Sequence, residues 1–398
     1  MVGEAVNLLK RIIAIPSVTF EEDRVADFLY EWLKEKADRL KDDAQEYNRS
    51  FDLLRLKNNI LAIPQSYAAD KPTLMLNAHI DTVKAAASYT IDPYGALERD
   101  GAIFGLGSND DGGCVVCLIE SFLNYIQALS NSQNGILKES INNINVVLLL
   151  NAEEERSGSG GISYVMEAIS NNNMPEYDTP FPPGFKVDFA IVGEPTSLKA
   201  AVAERGLLVI DAVAHGVSGH AARNEGVNAI YKALTDIEKL KNYNFERISP
   251  IMGNVKLTVT QINAGTVHNV VPDSCSYVVD IRPTEQYNNT EIMELLQKEV
   301  GSELKARNLN NRSSATPADH PLMKSVELAG IEKFVSPTTS DWMKLAIPAI
   351  KIGPGDSARS HKADEYIKID EIADGIVLYI NLIRTIDNIL DNKGQIKN

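Results

Sequence analysis

The chain has 398 residues, 44% hydrophobic and 23% charged, an ordinary globular composition that excludes collagen-like, rod-like coiled-coil and wholly disordered chains. Lys and Arg number 39 against 54 Asp and Glu, and the net charge of −15 argues against sequence-independent binding to nucleic acid or anionic lipid. Three cysteines are too few for a disulfide framework and fit a reducing compartment, while about 150 residues per domain makes two domains the simplest expectation.

At the N-terminus Glu4, Lys10 and Arg11 interrupt the apolar residues, so no signal peptide is expected. No run of about 18 apolar residues occurs, and the expectation is a soluble cytoplasmic protein with no membrane segment. Thr19-Phe20-Glu21-Glu22 reads as a capping box, and Val25, Phe28, Leu29, Trp32 and Leu33 follow at helical spacing, which predicts an amphipathic helix over 20–37. Residues 74–77 form a short apolar run that ends at Ala78-His79, a buried strand meeting a loop. A long helix is expected over 112–129. Residues 144–150 (INVVLLL) read as a central strand covered on both faces, and 189–192 and 349–352 are similar. Apolar strands alternating with helical patterns predict an α/β domain with a largely parallel sheet.

Between 200 and 311 the texture changes. Residues 207–214, 255–262 and 276–281 alternate apolar and polar, with helices expected over 227–240 and 290–306. This segment reads as a smaller α+β domain inserted into a larger one made of 1–199 and 312–398, whose last helix covers about 372–389. Two stretches rich in Asn, Ser and Pro, 131–143 and 170–183, read as surface insertions.

Chemistry-bearing residues gather at strand ends, where α/β folds place ligands. His79 and Asp81 lie two apart on an extended chain, a spacing that lets a carboxylate fix the tautomer of a metal-binding imidazole. Gly105-Leu106-Gly107-Ser108-Asn109-Asp110-Asp111 lacks the Lys-Ser/Thr of a phosphate loop, and its two acids read as helix caps or metal ligands. Glu153-Glu154-Glu155 places three carboxylates after the most apolar strand, a repulsion that a bound cation relieves. Glu194 precedes a proline at another strand end, and His361 lies in a Gly/Pro-rich loop after 349–352. Mixed His, Asp and Glu donors suit zinc, with cobalt or manganese as alternatives. Cys114 and Cys117 share one face of an apolar helix and read as core. Cys275 reads as packed in a strand, His215 as a strand-end residue, His320 as a loop or helix-start residue, and Trp342 as core or pocket wall.

These motifs resemble the co-catalytic dizinc deacylases and carboxypeptidases, which include acetylornithine deacetylase, succinyl-diaminopimelate desuccinylase, aminoacylase and glutamate carboxypeptidase. The resemblance spans nearly the whole chain in order: A-H-I-D-T-V at 78–83, G-x-G-x-x-D at 105–110, E-E-E at 153–155, G-E-P-T at 193–196, G-H-A-A at 219–222, N-V-V-P-D at 269–273, D-I-R at 280–282, T-S-D at 339–341 and S-H-x-x-D-E at 360–365. It implies a metallohydrolase domain with an inserted lid and dimerisation domain, two zinc ions and a small N-acyl amino acid as substrate. By the same resemblance His79 and Glu194 would hold one zinc, Asp110 would bridge, Glu155 and His361 would hold the other, Asp81 would orient His79 and Glu154 would be the general base. His220 would stabilise the oxyanion across a homodimer interface, and Asn269 and Arg282 would bind substrate. The wording at 219–226 and 105–110 is most like acetylornithine deacetylase, which implies release of acetate from N-acetylornithine in arginine biosynthesis, with desuccinylation or peptide cleavage as the alternative. Two departures leave neighbours in competition. Asp111 follows Asp110 where the family often has Met, and Glu153 stands where it often has Asp, so a one-residue shift would exchange roles.

Overall fold

The computed structural model describes residues 1–42, 50–129, 141–172, 181–223 and 225–395. Most of the two surface insertions expected at 131–143 and 170–183, and Asn224 of the 219–226 motif, lie outside the described residues. The chain divides into two compact units, one of residues 1–202, 316–334 and 340–398 and one of residues 203–315 and 335–339.

The larger unit opens with α1 (Val2–Ile13), which buries Ala5, Leu8, Leu9 and Ile12 along one face, and α2 (Asp23–Asp42). The helix expected from Phe20 starts at Asp23 instead. Thr19 does not cap it; its hydroxyl donates to Asp81 Oδ2 at 2.9 Å, and the Glu22 carboxylate accepts from the Phe20 amide at 2.7 Å. A tertiary partner has taken the hydroxyl that a local motif would have used.

Next come β1 (Phe51–Leu56), β2 (Asn59–Pro64), β3 (Thr73–His79), the short β4 (Leu97–Arg99) and β5 (Ala102–Phe104), then α3 (Gly113–Ala128), β6 (Asn145–Asn151), α4 (Ile162–Asn171), β7 (Phe189–Val192) and β8 (Ala200–Glu204). The smaller unit contributes β9 (Leu208–His215), β10 (Gly219–His220), α5 (Ala229–Lys241), β11 (Lys256–Ala264), β12 (Val270–Val271), β13 (Ser274–Arg282), α6 (Asn289–Glu299), β14 (Glu303–Ala306) and β15 (Ser314–Ala315). The chain ends through α7 (Pro321–Leu328), β16 (Lys333–Ser336), β17 (Ala349–Lys351), β18 (Tyr366–Lys368) and α8 (Ile369–Gln395).

In the larger unit the strands run β1–β2–β6–β3–β7–β17–β8. The central pairs β6–β3, β3–β7 and β7–β17 are parallel. Every residue of β3, β6 and β7 is buried, as continuous apolar runs require when both faces are covered. Leu74, Leu76, Val146 and Leu148 pack with α1, α3 and α8, whereas Met75, Val147 and Leu149 face α4 and the buried Trp342. Cys114 and Cys117 are buried in α3, and the thiols are free. The parallel strands finish at His79, Asn151, Val192 and Lys351, one edge of the sheet.

The smaller unit has an antiparallel sheet ordered β11–β13–β9–β14. Leu208, Ile210, Ala212, Tyr277 and Val279 form its buried face with Ala229, Ala233, Ile292 and Leu296 of the two helices. The helix expected over 290–306 ends at Glu299. Val300 is extended, Gly301 and Ser302 donate their amides to the Asp236 carboxylate at 3.1 and 2.8 Å, and 303–306 becomes an edge strand. Among the described residues no helix is long and apolar enough to cross a membrane.

Candidate metal centre

The edge where the parallel strands end carries the titratable cluster. His79 closes β3 and is 3% exposed. Its Nε2 lies 3.2 Å from Asp110 Oδ1, and its Nδ1 lies 3.0 Å from the Asp81 carbonyl and 3.5 Å from Asp81 Oδ1. Asp81 is fully buried and does more than face the imidazole. Its carboxylate accepts from the backbone amides of Glu154 at 3.0 Å and Glu155 at 3.1 Å and from the Thr19 hydroxyl. One side chain thus fastens the end of β3 to the acidic loop after β6.

That loop sorts its three glutamates. Glu153 has φ +61° and turns back on its own loop, where its Oε2 accepts from the Gly160 amide at 2.7 Å. Donor atoms of His79, Glu154 and Glu194 lie within 4.8 Å of one another, and so do those of His79, Asp110 and Glu155. His361 Nε2 sits 3.0 Å from the Glu155 carboxylate and 3.7 Å from Asp110 Oδ2, so the Asp110 carboxylate stands between two imidazoles. Its neighbour Asp111 is 1% exposed and lies against the Cys114 thiol inside the fold. The structure therefore brings together His79, Asp81, Asp110, Glu154, Glu155, Glu194 and His361; Glu153 turns back on its own loop, and Asp111 lies buried between the His79 backbone and the Cys114 thiol.

Electrostatics shows what the cluster lacks. Desolvation pushes the Glu154 and Glu194 carboxyls well above the ordinary range, and like charges from Glu155 and Asp341 on Glu154, and from Asp110 on Glu194, add to it. Burial opposes a charged His79, yet its bonds to Asp110 and Asp81 outweigh that and raise its pKa; burial likewise opposes a charged Asp110, and His79 overrides it and holds that carboxyl low. His79 and His361, with Lys351 beside Glu194, are the positive groups acting on Asp110, Glu154, Glu155 and Glu194, and they leave Glu154 and Glu194 raised. The donor set of two imidazoles and oxygen ligands, short of positive charge, fits a pair of divalent cations.

Two residues were given no role in the sequence. Asp341, of the T-S-D motif, is buried; it accepts from Asn151 Nδ2 at 2.5 Å, Asn151 accepts in turn from Asn77 at 2.6 Å, and Lys344 Nζ lies 3.7 Å away. Lys351 is 3% exposed in β17, and its charge partly offsets the desolvation of Glu194. A lysine inside an otherwise apolar strand was the available signal.

His220, Asn269 and Arg282 belong to the smaller unit. His220 is exposed on β10, which pairs with β12, and the Asn269 carbonyl accepts from the Ala221 amide at 3.0 Å. Arg282 forks onto Asp280 at 2.8 and 3.1 Å. His215 is exposed at the end of β9, and His320 caps α7 by accepting from the Leu322 amide.

Residues 75–385 match the sequence pattern of Peptidase family M20/M25/M40. A succinyl-diaminopimelate desuccinylase of Rickettsia felis is 27% identical over 411 residues, covering 96% of this chain and 99% of its own length. An M20-family metallo-carboxypeptidase from Sulfolobus solfataricus is 18% identical, with a TM-score of 0.66 over 96% of this chain and 99% of its own. A dinuclear metal-binding M20 peptidase from Bacillus subtilis is 14% identical, with a TM-score of 0.67 over 98% of each chain.

Proposed function

The chain belongs to Peptidase family M20/M25/M40, and on that premise we propose that it hydrolyses the amide bond of an N-acyl amino acid with two bound divalent cations, zinc by donor chemistry. The observation that carries the proposal is the convergence on His79 of two donor groups, Glu154 with Glu194 and Asp110 with Glu155, with His361 against Asp110 and Glu155. His79 and Glu194 would hold one cation, Glu155 and His361 the other, with Asp110 between. When bound, the cations supply Lewis acidity toward the scissile carbonyl and lower the pKa of water. Glu154 takes the proton of the attacking water as its oxygen bonds to the carbonyl carbon, and returns it to the amine nitrogen as the C–N bond breaks. Asp81 holds His79 in one tautomer and the Glu154 and Glu155 amides in place. By the resemblance, His220 would stabilise the oxyanion across a homodimer interface, and Asn269 and Arg282 would bind substrate.

For the substrate we propose a succinylated diamino acid of the succinyl-diaminopimelate type, on the strength of relatives 26–27% identical along nearly the full chain that bear the desuccinylase name. Acetylornithine deacetylation, expected from residues 219–226 and 105–110, is the second reading. By the same resemblance the smaller unit would carry a homodimer interface. The test is the zinc-loaded protein offered N-succinyl-diaminopimelate, N-succinylornithine, N-acetylornithine and dipeptides, with light scattering for mass. Release of succinate is expected; acetate release alone would favour the second reading, and hydrolysis of none would overturn the proposal.

A further inference from the structure

Three backbone amides of the loop that carries Asp110 converge on one carboxylate from a distant part of the chain. Glu365 Oε1 accepts from Asn109 and from Asp110, each at 2.8 Å, and Oε2 accepts from Gly107 at 3.1 Å. Glu365 is 2% exposed and follows His361 by four residues. The Asp110 loop returns the contact. Asn109 Oδ1 accepts from the Asp356 amide at 3.0 Å, and Asn109 Nδ2 donates to the Asp356 carbonyl at 3.1 Å and the Ser360 hydroxyl at 3.4 Å. The segments bearing Asp110 and His361 thus hold each other by side chain onto backbone in both directions. The fit leaves no room: Gly107 has φ +74° and a Cβ there would strike Thr82, and Gly355 has φ +82° with a Cβ that would strike Asn109.

We propose that Glu365 is a positioning residue of the metal centre: by gathering the amides of Gly107, Asn109 and Asp110 it fixes the Asp110 carboxylate between His79 and His361. The role presupposes that Asp110 binds a cation, as proposed above. Two observations set it apart from a general staple of the fold. The neighbourhood is already held by main chain, because β18 pairs with β5 through Tyr366–Phe104 and Ile367–Ile103 and the Gly105 amide donates to the Glu365 carbonyl at 2.9 Å. Removing the carboxylate leaves that ladder intact. Moreover, a buried carboxylate behind Asp110 is a costly way to tie a loop in a region already crowded with acids. Its negative charge becomes favourable once a cation sits in front of Asp110.

Cobalt(II) titration of the metal-free full chain against a chelating dye, read with the visible spectrum of the bound ion, tests the role. Glu365→Ala is expected to weaken cobalt binding about 10–100-fold and to alter the spectrum. Glu365→Gln keeps one oxygen for the Asn109 and Asp110 amides and recovers part of the loss; it also carries the comparison where the alanine variant does not fold. In an Asp110→Ala background Glu365→Gln brings no further loss, because the effect runs through Asp110; a merely structural residue would weaken both backgrounds equally. Wild-type affinity and spectrum in the Glu365 variants, or an equal loss in the Asp110→Ala background, overturns the inference alone. Absence of cobalt binding by the wild-type chain overturns it together with the metal reading.

Discussion

The two units keep their chemistry-bearing side chains in opposite environments. In the larger unit His79 and Asp81 are at most 3% exposed, and Asp81 alone receives two amides and a hydroxyl. In the smaller unit His220 and Asn269 are exposed, and Arg282 is occupied by Asp280 two residues away on the same strand. Desolvation in the first region is met during folding, so several acids stand ready with too little positive charge among them. Side chains in the second stay hydrated and adaptable until a ligand arrives. On the proposed function, the contrast assigns cation binding to the larger unit by itself and leaves the smaller unit a part in turnover.

The sharpest break of that contrast is Glu154→Gln. With the proton acceptor gone and the ligands kept, turnover falls about 10²–10⁴-fold while metal content stays at the wild-type level. Undiminished turnover would remove Glu154 from the base role. His220→Ala tests the other side: kcat falls about 10²–10³-fold, the size typical of a lost oxyanion donor, and metal content is again unchanged. Loss of metal in that variant would place a ligand in the smaller unit and erase the division. Asp81→Ala acts through the imidazole and the acidic loop together, so cation affinity drops about 10–100-fold, measured by chelator competition. Equal affinity would leave Asp81 a staple without influence on the site.

Much of the fold was legible because continuous apolar runs such as 144–150 can satisfy themselves only between two covering layers. The gathering of the site was legible for a related reason, since its polar residues follow such runs and the strands end at one edge. What escaped was what depends on partners remote in sequence. Thr19 reads locally as a cap but finds Asp81, 62 positions away. Residues 303–306 read as helix until Asp236 receives the amides of Gly301 and Ser302 and turns the chain. The choice between Asp110 and Asp111, or among Glu153, Glu154 and Glu155, rests on the loop's path rather than on residue type. Glu153 turns away through its own contact with Gly160.

Burial of an acid is not by itself a sign of the site, and Glu120 provides the control. It lies on α3, 4% exposed, with Oε1 unpartnered, Glu4 adding like charge, and Lys36 and the N-terminal amine only partly offsetting. Burial pushes its carboxyl up to about 7 from the ordinary 4.5. A folded-state pKa above the unfolded one means the neutral form favours folding, so this contribution is complete below about pH 4.5 and is lost as pH rises through about 7. Glu120→Gln should flatten that part of the melting-temperature profile between pH 4.5 and 8 and leave turnover and metal content untouched. The shift is modest in melting temperature, the smallest effect expected here, and it separates two kinds of buried carboxylate. At Glu154 and Glu194 a divalent cation would remove the penalty, so loading with zinc should raise the melting temperature. At Glu120 only a proton can, and zinc loading should leave the pH slope assigned to Glu120 unchanged. A zinc-dependent slope there would show that a buried acid far from the strand ends answers to the metal, and the distinction between the two classes would fail.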